Sequence, residues 1–217
     1  MIGSSPEGYA DVLLGDSPRE ARAAAFGLLD RGVLPRALYL EVLGPALQEV
    51  GSRWQRGLIS VAQEHLATAI VSSVMATVAP RLVELPAIGR RAVLACTDGE
   101  LHDVGLRMVG DFLEADGWEV LFLGALTPPD ALQSLVAESR PDVVGLSTAL
   151  TTHLASAAAS IAAIRQLEAP PLVMVGGRAY GDDPSVALGI GADVLLADAG
   201  AASALLRQRF GSEALAT

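Results

Sequence analysis

Three histidines occur in the 217 residues, and one of them stands in surroundings suited to metal chemistry. His102 lies in the run Glu100-Leu-His-Asp-Val-Gly105, directly after the apolar run Arg91-Ala-Val-Leu-Ala-Cys96 and before an amphipathic helical pattern. A neutral imidazole is a good nitrogen donor to a transition metal. Glu100, two residues upstream, can accept a hydrogen bond from the ring nitrogen that is not ligating, which fixes the tautomer and raises the basicity of the other. Asp103 is the expected N-cap of the following helix, whose core stripe reads Leu106, Val109, Phe112 and Leu113. Gly105 falls in the first turn, where the lack of a side chain lets a flat, bulky ligand approach the backbone. Standing alone, the motif fits a solvated helix-start histidine equally well.

Two later segments join it. Ser147 and Thr148 follow the run Asp142-Val-Val-Gly-Leu-Ser147, where their hydroxyls are expected to point into the same crevice. Gly176 and Gly177 end the run Pro171-Leu-Val-Met-Val-Gly-Gly177 and are expected to leave room for a chain-like group between strands. Turn formation explains each piece separately but not their combination. A second chemical stretch is Trp54 to His65. Gly57 breaks the first helix there, and Ser60 with Gln63 makes a capping box for the next, so Trp54, Glu64 and His65 are expected to converge from two helices. The bland alternative makes Trp54 a core residue and Glu64 a first-turn charge favoured by the helix dipole. His153 is expected to be solvated or capping rather than ligating. Cys96 is expected to be a buried strand residue rather than a nucleophile. Arg178 and Tyr180 fit contacts to a ligand tail and ordinary loop polarity equally.

The elements that must position these residues fall into two halves. From Ser17 to about Leu85 apolar residues recur at helical spacing, as Phe26, Leu29, Val33 and then Leu40, Leu43, Leu47, Val50. Prolines 18, 35, 80 and 86 mark joints, and Pro45 is expected to kink its helix or begin a new one. This predicts an N-terminal four-helix bundle over residues 1–86. From residue 87 to 217, five β-rich runs (91–96, 119–124, 142–147, 171–177, 193–197) alternate with helical segments, predicting a five-stranded parallel Rossmann-like, flavodoxin-like α/β domain with right-handed crossovers. Ligands of such sheets sit beyond the carboxyl ends of the strands, where the histidine motif, Ser147 and the glycine pair all fall.

Composition limits the function classes. With 15 basic against 25 acidic residues and a formal charge of −10, direct nucleic-acid binding is not expected. Aromatic residues make up only 4%, so the core is expected to be aliphatic. The first residues lack the pattern of a signal peptide, a single cysteine excludes an internal disulfide, and the apolar stretch 66–80 is too short to span a bilayer. The expectation is a cytoplasmic protein that does not enter a membrane.

Over residues 88–210 the chain resembles the cobalamin-binding domains, whose motif is Asp-x-His-x-x-Gly, then Ser-x-Leu, then Gly-Gly. Here the three parts read ELHDVG, STAL and GG, with Glu100 for the commoner aspartate and Ala149 for the usual leucine, Leu150 standing one position later. The resemblance implies cobalamin bound with its own base displaced, His102 as lower axial ligand of cobalt, and the nucleotide tail near Ser147 and Gly176. Glu100, Asp103, Gly105, Thr148, Leu150 and Gly177 complete the expected site. Trp54, Glu64 and His65 resemble the Trp-x9-Glu-His signature of the light-sensing, CarH-type cobalamin regulators. That resemblance implies a bundle capping the upper face of the corrin, with Trp54 beside an adenosyl group and Glu64 and His65 lining its pocket. Gln55 departs from the pattern, since the residue after the tryptophan is often a cobalt-capturing histidine; His65, His153 or water would take that place. No counterpart of the DNA-binding domain that usually precedes the bundle is seen, so a signal is expected to leave through a homo-oligomer or a partner protein.

The resulting expectation is a non-catalytic sensory module in which light cleaves the cobalt–carbon bond of adenosylcobalamin and changes bundle packing and association. The alternative is a corrinoid shuttle protein of a methyltransferase system, binding methylcobalamin. The sequence leaves room for a second chromophore such as a linear tetrapyrrole.

Overall fold

Ser17 opens the first long helix of the chain, its hydroxyl accepting the Glu20 N–H at 3.2 Å with Pro18 at the first helical position. The computed structural model describes residues 6–181 and 183–211 and divides the chain into two units, Met1–Val83 and Glu84–Thr217. The division falls three residues before the expected end of the bundle at residue 86. The cause is local: the Leu85 N–H donates to the Ala115 carbonyl and the Ile88 N–H to that of Gly117, which ties the joining segment to the second unit.

In the first unit, α1 (Pro6–Leu13) and α2 (Pro18–Asp30) precede a continuous helical run. This run comprises α3 (Pro35–Ala37), a π-helical turn (Leu38–Leu43) and α4 (Gly44–Gln55). Then α5 (Val61–Val78) completes four helical segments, as expected. Pro45 produces the irregularity: it has no N–H for the ladder, and the chain widens just before it, with the Gly44 N–H reaching back to the Tyr39 carbonyl. The widened turn rotates the helix, so the buried face is Leu38, Tyr39, Val42, Leu43, Ala46 and Val50; Leu40 and Leu47 of the expected stripe are only half-buried. On α2 the buried positions are Ala21, Ala25 and Leu28 rather than Phe26, Leu29 and Val33. Small residues win the interior because helices can approach closely there. The Tyr9 hydroxyl donates to the Ala21 carbonyl and that of Tyr39 to Met75, so both buried phenols are satisfied.

The second unit is a five-stranded parallel sheet in the order β2-β1-β3-β4-β5, with β1 Arg91–Thr97, β2 Glu119–Thr127, β3 Val143–Ser147, β4 Leu172–Gly176 and β5 Val194–Leu196. Every strand was expected; β2 runs three residues further than its β-rich pattern because it continues through two register irregularities against β1. Helices α6 (Val104–Ala115), α7 (Pro129–Ser139), α8 (Leu154–Arg165), α9 (Pro184–Gly189) and α10 (Ala199–Phe210) follow the strands in turn. Alternate residues of each strand feed two cores. One holds Val93, Ala95, Val144 and Leu146 with Leu132 and Ile161; the other holds Ala92, Leu94, Val143 and Met174 with Leu106 and Leu206. Both faces are therefore covered, which explains the uninterrupted apolar strand sequences. The order reverses between β1 and β3, so the crevice lies at their carboxyl ends. Among the described residues no helix is long and apolar enough to cross a membrane.

Candidate functional site

Paired registers bring the expected pieces to one edge: Cys96 pairs with Ser147, and Ser147 with Gly176. Between β1 and α6, the loop that carries His102 folds around Glu100, whose side chain is fully buried. One carboxylate oxygen accepts the Leu101 and His102 backbone N–H groups, each at 3.0 Å, and the His102 Nδ1. The other accepts the Ala149 and Leu150 N–H groups at 2.8 and 3.1 Å and the His153 Nδ1 at 3.1 Å. Six donors on two oxygens stabilise the anion. Burial alone would raise the Glu100 carboxyl, but hydrogen bonds from His102, His153 and the Ala149 backbone outweigh it and bring it to about 2.

This arrangement fixes the tautomer of His102. With Nδ1 donating to Glu100, the Nε2 lone pair is free, and the side chain is 40% exposed. Above Gly105 the space is open, as a close ligand requires. Among the described residues no group of three His, Cys, Asp or Glu side chains could hold a metal ion. His102 would hold a metal as a single imidazole donor, which suits a metal carried within a larger cofactor that supplies the remaining ligands. The donor set fits such a group.

Several expected residues take other parts. His153 occupies the N-cap position of α8 but makes no side-chain cap hydrogen bond; its ring, only partly exposed, is the second imidazole on Glu100, packed so that a side chain at Gly99 would lie 3.2 Å from its Nε2. Sequence reasoning missed this because the contact joins loops after different strands; the signal was a histidine six residues beyond Ser147. Asp103 occupies the N-cap position, but its backbone is already helical (φ −98°, ψ −11°) and its side chain makes no cap hydrogen bond. The Thr148 hydroxyl does not point into the crevice. It is fully buried between Thr97 Oγ1 (3.3 Å) and the Tyr180 hydroxyl (3.0 Å), which accounts for Tyr180 as well.

Gly177 does not leave a passage. Its φ is 110°, and a Cβ there would lie 2.2 Å from the Thr148 carbonyl oxygen, so the glycine lets the β3 and β4 loops close on each other. Ser147 and Leu150 stay half-buried at the edge. Cys96 is fully buried, as expected, and burial with the nearby Asp103 and Glu100 charges pushes its thiol up to about 12.

In the helical unit, Trp54 lies in the last turn of α4 and is 39% exposed. The chain then turns at Gly57 (φ 70°), and the capping box forms as expected: the Gln63 N–H donates to Ser60 Oγ at 3.2 Å and the Ser60 N–H to Gln63 Oε1 at 2.9 Å. Glu64 accepts from Thr68 Oγ1 at 3.0 Å and meets His65 Nδ1 at 2.6 Å. The His65 side chain is 74% exposed, and Gln55 is exposed as well.

Comparisons with known proteins agree with this chemistry. One family described as a B12 binding domain matches residues 90–206, and a second of the same description matches residues 8–78. The chain is 45% identical over 103 residues to the HTH-type transcriptional repressor CarA of Myxococcus xanthus, covering 48% of this chain and 34% of CarA. It is 36% identical over 148 residues to the repressor CarH of the same organism, covering 67% and 48%. Against the monomethylamine corrinoid protein 2 of Methanosarcina acetivorans it is 31% identical over 113 residues, covering 51% and 50%. The chain thus spans half or less of the length of these relatives. The solved structure of the Methanosarcina barkeri monomethylamine corrinoid protein superposes with a TM-score of 0.82 at 19% identity, covering 93% of this chain and 96% of that one, a likeness of fold. The first of the two family matches takes in more than half of the chain and includes the carboxylate-held His102, and the chain belongs to the B12-binding domain family.

Proposed function

We propose that the chain is a sensory module built around adenosylcobalamin. His102 takes the lower axial position of cobalt through Nε2, with the cofactor's own base displaced and its tail directed to the side of Ser147 and Gly176. The helical unit, which ends at Val83, serves the upper face through Trp54, Glu64 and His65. Cobalamin supplies a photolabile cobalt–carbon bond. The chain's residues hold the ring, orient it and respond when the upper group leaves. A switch requires contacts that differ between its states, and an exposed indole that packs against a group present only in the dark supplies one.

The observation that carries this reading is the junction of α4 and α5, where Trp54 stands half-exposed and Glu64 orients His65 with Nδ1 engaged and the rest of the ring open. The signal leaves through self-association or a partner protein. A corrinoid shuttle is the second reading, favoured by the 31% identity to a monomethylamine corrinoid protein.

The test is an absorption spectrum of the adenosylcobalamin-loaded full chain before and after blue or green light, with size measured in both states. A light-dependent spectrum and a change in association support sensing. An unchanged oligomeric state, with preference for methylcobalamin and methyl transfer to an added methyltransferase, would replace it with the shuttle.

A further inference from the structure

Leu126 holds an unusual conformation beside the His102 loop. Among the described residues, two that are not glycine have a left-handed backbone: Arg140 (φ 47°) and Leu126 (φ 57°). Arg140 caps the C-terminus of α7, where that geometry is ordinary. Leu126 takes it at a bulge of β2 rather than at a helix end. It sits in the last residues of β2, in the stretch where the register against β1 slips, and the Leu126 N–H donates to the Glu100 carbonyl at 3.0 Å. The strained residue is therefore tied to the backbone of the carboxylate that orients His102. Leu126 is 50% exposed, and Leu101, between Glu100 and His102, is 67% exposed. Strain of this kind persists where surrounding contacts impose it, and it gathers at ligand clamps. Here it holds a leucine out toward solvent.

We propose that Leu101 and Leu126 form an apolar ledge for the corrin ring itself. This rests on the reading of His102 as the cobalt ligand. A planar group joined to His102 Nε2 spreads outward from the imidazole over its neighbours, and one of these is a leucine adjacent in the chain while the other is hydrogen-bonded to Glu100. The corrin periphery carries methyl and methylene groups that match such a surface. The ledge also lies on the β2 side of β1, whereas Ser147 and Gly176 lie on the β3 side. Ring and nucleotide tail are thereby assigned to opposite sides of one strand.

The experiment compares hydroxocobalamin with its tail-free analogue aquacobinamide, titrated into the full chain by absorbance, for the unaltered protein, Leu101→Ser, Leu126→Gly and the double variant. Each single change is expected to weaken both corrinoids about equally, by roughly 10-fold, the scale of losing one leucine's burial. Corrinoid-free Leu126→Gly is expected to melt no lower than the unaltered chain, because glycine accepts φ 57° without strain. Leu101→Ser changes an exposed side chain and keeps the test open should the other variant fold poorly. Unchanged binding of both corrinoids in the variants would overturn the ledge while leaving the His102 reading in place. Weakened cobalamin with unchanged cobinamide would assign the leucines to the tail and also overturn it. An unaltered chain that binds neither corrinoid would remove the cobalamin reading itself, and the ledge with it.

Discussion

Each unit holds a carboxylate that engages imidazole, Glu64 in the helical unit and Glu100 in the sheet unit, and the two are built oppositely. In Glu100–His102 the carboxylate is fully buried and accepts six hydrogen bonds from two loops, so the imidazole has one available orientation. In Glu64–His65 the pair sits on the first turn of one helix, has a single further partner in Thr68, and leaves the ring largely in solvent. The first is preorganised by tertiary structure and suits a permanent ligand. The second is local, cheaply rearranged, and suits a contact that is made in one state and lost in another.

The largest expected effect comes from Glu100→Gln. The amide keeps the volume but removes the charge and turns an N–H₂ group toward donors, leaving buried N–H groups without an acceptor. Breaking a buried charged cluster in this way costs about 3–5 kcal/mol of stability, and losing an outer partner of a metal-bound histidine costs about 10–100-fold in affinity. Chemical denaturation and a corrinoid titration of the same variant read both. If Glu100→Gln were as mild as Glu64→Gln, the contrast between the pairs would collapse.

Next in size is Gly177→Ala. A Cβ 2.2 Å from the Thr148 carbonyl oxygen must push the β3 and β4 loops apart, and the left-handed φ adds strain. A loss of about 2–3 kcal/mol is expected. Thermal melting measures it, and a near-neutral result would mean that the two loops are not pressed together.

These two residues also show where sequence was enough and where it was not. Strand runs, the capping box at Ser60, the break at Gly57 and the Glu100–His102 pair depend on neighbours within a few positions, where spacing dictates geometry. His153, Thr148 and Gly177 depend on which loops meet across the sheet, and nothing local distinguishes a histidine reaching Glu100 from a histidine in water. Gly177 illustrates the ambiguity best: a glycine that admits a ligand and a glycine that admits a neighbouring backbone look identical in one sequence. The π-helical turn is intermediate, since Pro45 announced an irregularity but not that it would rotate the buried face toward Leu38 and Tyr39.

The pH dependence of the buried pair follows from its depressed carboxyl. Glu100 titrates near 2 when folded, below the ordinary value of 4.5. Its contribution to stability is therefore fully present above about 4.5 and is lost as pH falls through about 2. The difference in melting temperature between the unaltered chain and Glu100→Gln should be constant from neutral pH down to about 4.5 and shrink as the pH approaches 2. A gap that closes already at pH 6 would show that the carboxylate is not held by these donors.

Glu64→Gln is the smallest change and the sharper probe of the local pair. The substitution removes a first-turn carboxylate from α5, where the helix dipole favours negative charge, and weakens its contacts with Thr68 and His65. The capping box of Ser60 and Gln63 remains, so the helix start persists. A loss of about 0.3–1 kcal/mol is expected, the scale of a first-turn charge acting on the helix dipole. Salt separates the two designs, because screening acts on exposed charges and hardly on buried ones. Raising the ionic strength should shrink the Glu64→Gln difference in melting temperature, since the His65 partner is 74% exposed, and leave the Glu100→Gln difference nearly intact, since Glu100 is fully buried. A Glu64→Gln effect that survives high salt would mean that the carboxylate of the helical unit is as firmly built in as that of the sheet, and that His65 is no freer to move than His102.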